Sequence, residues 1–135
     1  MASVMEQELP LAELLQCGIK FHKFDARVGD VTINCEIMKM KDSLYLWIGD
    51  YTNPTMEDLS FSFTSNIGTQ PIATKIMGAI ADATSTNMAK RLSIKIGKPV
   101  YVSFNVTADN MLLLGIEKRI QEEFKMHNDL FDFEH

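Results

Sequence analysis

From Val31 to Gly49 the apolar positions fall into two strand-like runs around a tight polar turn at Lys41 and Asp42. In the first run Val31, Ile33, Cys35 and Ile37 alternate with Thr32, Asn34 and Glu36, the period of a strand with one buried face. The second run is apolar on both sides. Leu44, Leu46 and Ile48 mark one face and Tyr45 and Trp47 the other, so this strand is expected inside the sheet with cover above and below.

Upstream, the alternation Ile19, Phe21 slips by one residue to Phe24, Ala26, Val28, which predicts a strand with a bulge near His22 and Lys23. Downstream, the segment 50–57, with Asn53 and Pro54, reads as an exposed loop. Leu59, Phe61 and Phe63 then alternate with Ser60, Ser62 and Thr64, a half-buried strand whose phenylalanines are expected to point inward. Pro71 to Met77 adds a short strand. Thr84, Ser85 and Thr86 offer capping hydroxyls to a helix from about Thr86 to Ile96, striped by Met88, Leu92 and Ile96 and closed by Gly97. A strand follows with Val100, Val102, Phe104 and Val106 on one face and Tyr101, Ser103 and Asn105 on the other. Asp109 or Asn110 caps a last helix whose stripe is Leu112, Leu113, Ile116, Ile120 and Phe124.

This order implies an α+β fold, a mainly antiparallel sheet of about six strands with two helices on one face. Two helices leave the other face open. That face is expected to combine Tyr45, Trp47 and Tyr101 with Ser60, Ser62 and Ser103, aromatics among small polar groups as at protein interfaces, and to be available for dimerisation. The organisation expected is a flexible acidic arm over 1–16, a single domain over 17–127 and a mobile tail over 128–135.

Composition changes the picture by exclusion. At 135 residues, 46% hydrophobic and 23% charged, the chain fits one globular domain. Its net charge of −5 disfavours nucleic acid as a partner, because that contact relies on Lys and Arg neutralising phosphates. No apolar run spans a bilayer, and Met1 to Gln16 carries Glu6, Glu8 and Glu13 but no basic n-region, so neither a membrane nor a secretory route is expected. The compartment expected is the cytoplasm, with the nucleus as a second one. Two cysteines, Cys17 and Cys35, are expected as thiols there.

Chemistry finds little support in the residues. Cys17, His22 and Cys35 match no zinc spacing, and His127 at the domain's end and His135 in the expected tail read as solvated, so no metal is expected. Without a nucleophile elbow or phosphate loop, neither catalytic residues nor a cofactor are expected either. One charge cluster stands out: Lys90, Arg91 and Lys95 lie in a stretch from Thr84 to Lys98 without an acidic residue. They read as a solvated helix face or as a docking patch for an acidic partner surface.

Four segments in register resemble the proteasome assembly chaperone 4 family: Asp42-Ser43-Leu44-Tyr45-Leu46-Trp47-Ile48-Gly49, Thr84-Ser85-Thr86-Asn87-Met88-Ala89-Lys90-Arg91-Leu92, Val100-Tyr101-Val102-Ser103-Phe104-Asn105, and Glu117-Lys118-Arg119-Ile120-Gln121-Glu122-Glu123. The resemblance runs over about Phe21 to Phe124 and stops short of the arm and tail. It implies a non-enzymatic chaperone that pairs through its sheet with a proteasome assembly chaperone 3-like subunit. It further implies that the pair assists assembly of the alpha ring of the 20S proteasome and contacts the fifth alpha subunit. A homodimer in isolation is compatible with the same surface. From the fold class alone, a small adaptor or trafficking-type scaffold domain is the alternative.

Overall fold

The computed structural model describes residues 19–65, 70–130 and 132–133. In chain order these form β1 (Lys20–Val28), β2 (Val31–Lys39), β3 (Leu44–Asp50), β4 (Leu59–Thr64), β5 (Pro71–Met77), α1 (Thr84–Ile96), β6 (Val100–Asn105) and α2 (Asn110–Met126). Gly29, at φ 60, supplies the left-handed turn between β1 and β2. The polar turn after β2 closes with Met40 N–H on Ser43 O at 2.9 Å.

All six strands join one sheet in the order β1-β2-β3-β6-β4-β5. Every neighbouring pair is antiparallel except β3 with β6. The parallel pair arises because β4 does not dock on β3. The chain leaves a slot one strand wide, and α1 carries it back over the sheet so that β6 fills the slot.

The core lies between the sheet and the helices. Ile33, Cys35, Ile37, Leu44, Leu46, Ile48, Val100 and Val102 are buried there against Met88, Ala89 and Leu92 of α1 and Ile116, Ile120 and Phe124 of α2. Each such aliphatic side chain contributes about 1.5–3 kcal/mol when taken out of water. Gly97, at φ 68, ends α1, its N–H donating to Ser93 O. Asp109 starts α2 by accepting from Leu112 N at 2.8 Å.

Three expectations are corrected. First, β1 has no bulge: its register with β2 is continuous from Lys20 to Val28. His22, Phe24, Ala26 and Val28 make the inward set, and Phe21, 57% exposed, belongs to the opposite face. The apparent slip comes from an inward histidine standing where an aliphatic residue is usual. A register shift does occur, but at Leu59/Ser60 against β5.

Second, β4 is inverted. Ser60 and Ser62 are fully buried beneath α1, and the phenylalanines take the other face. Ser60 Oγ lies 2.7 Å from Ser85 Oγ and 3.0 Å from Thr86 Oγ1, and Ser62 Oγ lies 3.2 Å from Ser93 Oγ. Small side chains let α1 approach β4, and the hydroxyls satisfy one another in the dry gap. The same bonds take Ser85 and Thr86 away from capping, and α1 starts two residues earlier, at Thr84, whose N–H donates to Asp82 Oδ1.

Third, the described part of the tail is packed. Asn128–Leu130 form a 3-10 turn, and Leu130 and Phe133 are buried in the core cluster. Lys39 Nζ donates to Asp129 O at 2.5 Å and to Asp132 O, and sits 4.9 Å from the Phe133 ring centroid. The packed body thus extends through Phe133. The arm over 1–16, together with Cys17 and His135, lies outside the described residues.

Candidate functional site: an open aromatic sheet face

Strand register decides which side chains become neighbours. On the face away from the helices, Phe21, Met38, Tyr45, Tyr101, Phe61 and Thr74 stand side by side, one from each of the six strands. The Phe61 ring lies 4.6 Å from that of Tyr101 and 5.6 Å from that of Phe63. Phe63 pairs in turn with Ile72, 53% exposed. The result is an apolar band crossing the sheet, and neither of the helices among the described residues lies above it.

The adjacent row reads Lys23, Glu36, Trp47 and Ser103. Lys23 and Glu36 form an exposed ion pair at 3.2 Å. The other two are covered by the chain itself, because the β3–β4 connection folds back over them. Trp47 Nε1 donates to Thr55 O at 3.0 Å, Asn105 Oδ1 accepts from Glu57 N at 2.8 Å, and Ser103 Oγ donates to Asp58 O at 2.5 Å. Asp58 fixes the end of this strap: its carboxylate accepts from Phe104 N at 3.1 Å and pairs with Lys75 at 2.5 Å, both side chains nearly buried. Gly49 makes room for the indole, since a Cβ there would lie 2.3 Å from Trp47 Cη2.

Of the interface residues read from the sequence, Tyr45, Trp47 and Tyr101 share this face, with Trp47 and Ser103 under the strap. Ser60 and Ser62 lie on the opposite face and are removed from the site. Phe21, Met38, Phe61, Phe63 and Ile72 enter it. The period-2 pattern of residues 59–64 contained the signal, but its sense was set by α1, which is out of reach of a local reading.

The Tyr45 hydroxyl is pushed above its usual pKa, first by burial and then by the Glu36 carboxylate. It remains a neutral donor, suited to contact more than to catalysis. The Cys35 thiol is sealed inside, and burial pushes it up to about 12. Native protein is therefore expected to resist alkylation at Cys35 at pH 8 and to react there only on unfolding. With the folded pKa above the unfolded one, the thiolate is disfavoured in the fold, so stability is untouched below about pH 8.5 and falls above it. Unfolding midpoints at pH 8 and 10.5, compared with Cys35→Ala, check this; an equal decline in both proteins refutes it.

A polar cleft of about 230 Å³ between the strap and the β5–α1 turn contains Glu57, Asp58 and Asp82. Asp58 is committed to Lys75 and Phe104 N, and the Thr84 N–H holds Asp82 below the usual carboxylate range. Asp58 and Asp82 thus serve the fold. Lys90, Arg91 and Lys95 project from α1 on the helix layer, across the sheet from the aromatic band; Arg91 reaches Glu117 and Lys95 reaches Gln121 on α2. Among the described residues, no helix is long and apolar enough to cross a membrane.

Residues 32–106 match the family described as proteasome assembly chaperone 4. Proteasome assembly chaperone 4 of Homo sapiens is 33% identical over 114 residues, which cover 84% of this chain and 91% of the human protein. The protein of that name in Mus musculus matches with the same identity and coverage. Among solved structures, a chain from a novel chaperone complex for yeast 20S proteasome assembly superposes with a TM-score of 0.63 at 10% identity. It covers 84% of this chain and 98% of its own length.

Proposed function

Because the chain belongs to the proteasome assembly chaperone 4 family, we propose that it acts without catalysis as one half of a chaperone pair, joined to a proteasome assembly chaperone 3-like subunit through the open sheet face. The pair assists assembly of the 20S alpha ring and engages the fifth alpha subunit, in the cytoplasm and the nucleus. The observation that carries this reading is the row of six residues across the sheet, five of them apolar, which no helix among the described residues covers. A partner sheet laid on such a row replaces water with apolar contact. The fold likeness to a chain of a yeast chaperone complex for 20S proteasome assembly supports action as part of a chaperone complex.

The two sides of the molecule divide the work. With the aromatic band given to the paired chaperone, the helix layer with Lys90, Arg91 and Lys95 is left to meet an acidic surface on the proteasome subunit. Reversing Arg91 to Glu is expected to leave chaperone pairing unchanged. It should slow capture of the alpha subunit at low salt, because exposed charges act mainly on association rates. Stopped-flow association with each partner distinguishes the two effects; unchanged rates with both retire the basic helix as a docking surface. The pairing itself is tested by oligomeric state alone and after mixing. A 1:1 complex with the related chaperone supports it, and a monomer in both conditions rejects it.

A further inference from the structure

His22 on β1 and His127 just after α2 are separated by most of the chain, yet both point a ring nitrogen at one carboxylate. His22 Nε2 lies 2.6 Å from Glu123 Oε2, and His127 Nε2 lies 3.4 Å from the same oxygen. The three ligand atoms fall within 4.8 Å of one another. Glu123 is 4% exposed, which sets this group apart from the acidic residues that crowd a surface by chance. Its other oxygen is engaged by Arg119 Nη1 at 2.8 Å, and Arg119 is itself seated over the Phe24 ring. The carboxylate is thereby held with Oε2 turned toward both imidazoles.

We propose that His22, Glu123 and His127 form a binding site for a divalent transition-metal ion of the Zn²⁺ class. The donor set is two imidazoles and one carboxylate, which suits Zn²⁺ and disfavours the hard, oxygen-seeking Mg²⁺ and Ca²⁺. Tetrahedral bonds of about 2.0–2.1 Å place two ligand atoms about 3.4 Å apart. The His127 and Glu123 atoms already have that spacing, and the His22–Glu123 pair opens by under about 1 Å to reach it. His22 then exchanges a hydrogen bond for a metal bond, its proton carried on Nδ1. The half-exposed His127 leaves an open side for the ion to arrive and for water to complete the coordination. Arg119 serves as the outer partner that fixes the ligating carboxylate.

Such an ion would clip three parts of the chain together: edge strand β1, the last turn of α2, and the start of the segment that carries Leu130 and Phe133 into the core. Titration of the metal-stripped full chain with ZnCl₂ tests this, read by calorimetry and by the visible spectrum after Co²⁺ substitution. One saturable site is expected in the parent, insensitive to Mg²⁺. At least a tenfold loss of affinity is expected in His127→Ala and in His22→Gln. His127→Ala removes a half-exposed side chain, so it keeps the fold and decides the question even if His22→Gln does not. Absence of saturable binding in the parent, or parental affinity in His127→Ala, overturns the assignment.

Discussion

Replacing Phe61 with glutamate is expected to weaken pairing with the partner chaperone by at least about a hundredfold while the protein stays folded. Phe61 stands in the apolar row between Tyr101 and Thr74, half-buried in the free chain, with its ring in tilted contact with that of Tyr101. A carboxylate there remains hydrated until a partner sheet arrives. Pairing would then bury a charge with no counter-ion among apolar side chains. Central aromatic anchors lose about 2–4 kcal/mol on truncation, and about 2.7 kcal/mol already corresponds to a hundredfold. Dissociation constants from calorimetry, beside circular dichroism melts, make the measurement, with Asn87→Glu on the helix side as the control. Parental affinity in Phe61→Glu would remove this face as the interface. Trp47→Ala is a poorer probe, because the indole is 8% exposed and tied to Thr55, so its loss would loosen the strap as well.

Asp58→Ala should produce the largest loss of stability, about 3–5 kcal/mol. The carboxylate neutralises Lys75, whose side chain is 8% exposed, and accepts from Phe104 N. Alanine strands a nearly buried ammonium and an amide at once. The cost of the unpaired buried charge disappears if the ammonium goes too, so Asp58→Asn with Lys75→Met is expected to recover much of the loss. Urea unfolding of the parent and the two variants reads this directly. A single variant within about 1 kcal/mol of the parent would show that the pair is well solvated.

The sequence revealed most where one element determines its own burial. The β2–β3 hairpin, the two-sided character of β3 and the stripe of α2 follow from local periodicity, and all three appear as expected. Where burial depends on a distant element, local pattern misled. Ser60 and Ser62 look like solvent residues until α1 arrives with Ser85, Thr86 and Ser93 to pair with them. The acidic stretch after His127 looks like a tail until Lys39, far away on β2, offers its ammonium to Asp129 O and Asp132 O. The candidate site was legible in Tyr45 and Tyr101, because aromatics on an already two-sided strand demand cover. Phe21 and Phe61 were hidden because a phenylalanine is assigned to the core by default, and only the register shows which side the core is on.

The position of β6 has a further consequence during synthesis. Because the last strand made is a central one, β3 and β4 must wait, unpaired along the edges that will face it, until residues up to Asn105 have left the ribosome. Such long-range closure is slow compared with hairpin formation. Until then Tyr45 and Phe61 are not bridged by Tyr101, and the aromatic row is broken in the middle. A nascent chain therefore cannot present the complete surface early. Under the proposed pairing, recruitment of a partner through that surface would be deferred until nearly the whole domain has been made, and an unfinished sheet would be protected from capture by another.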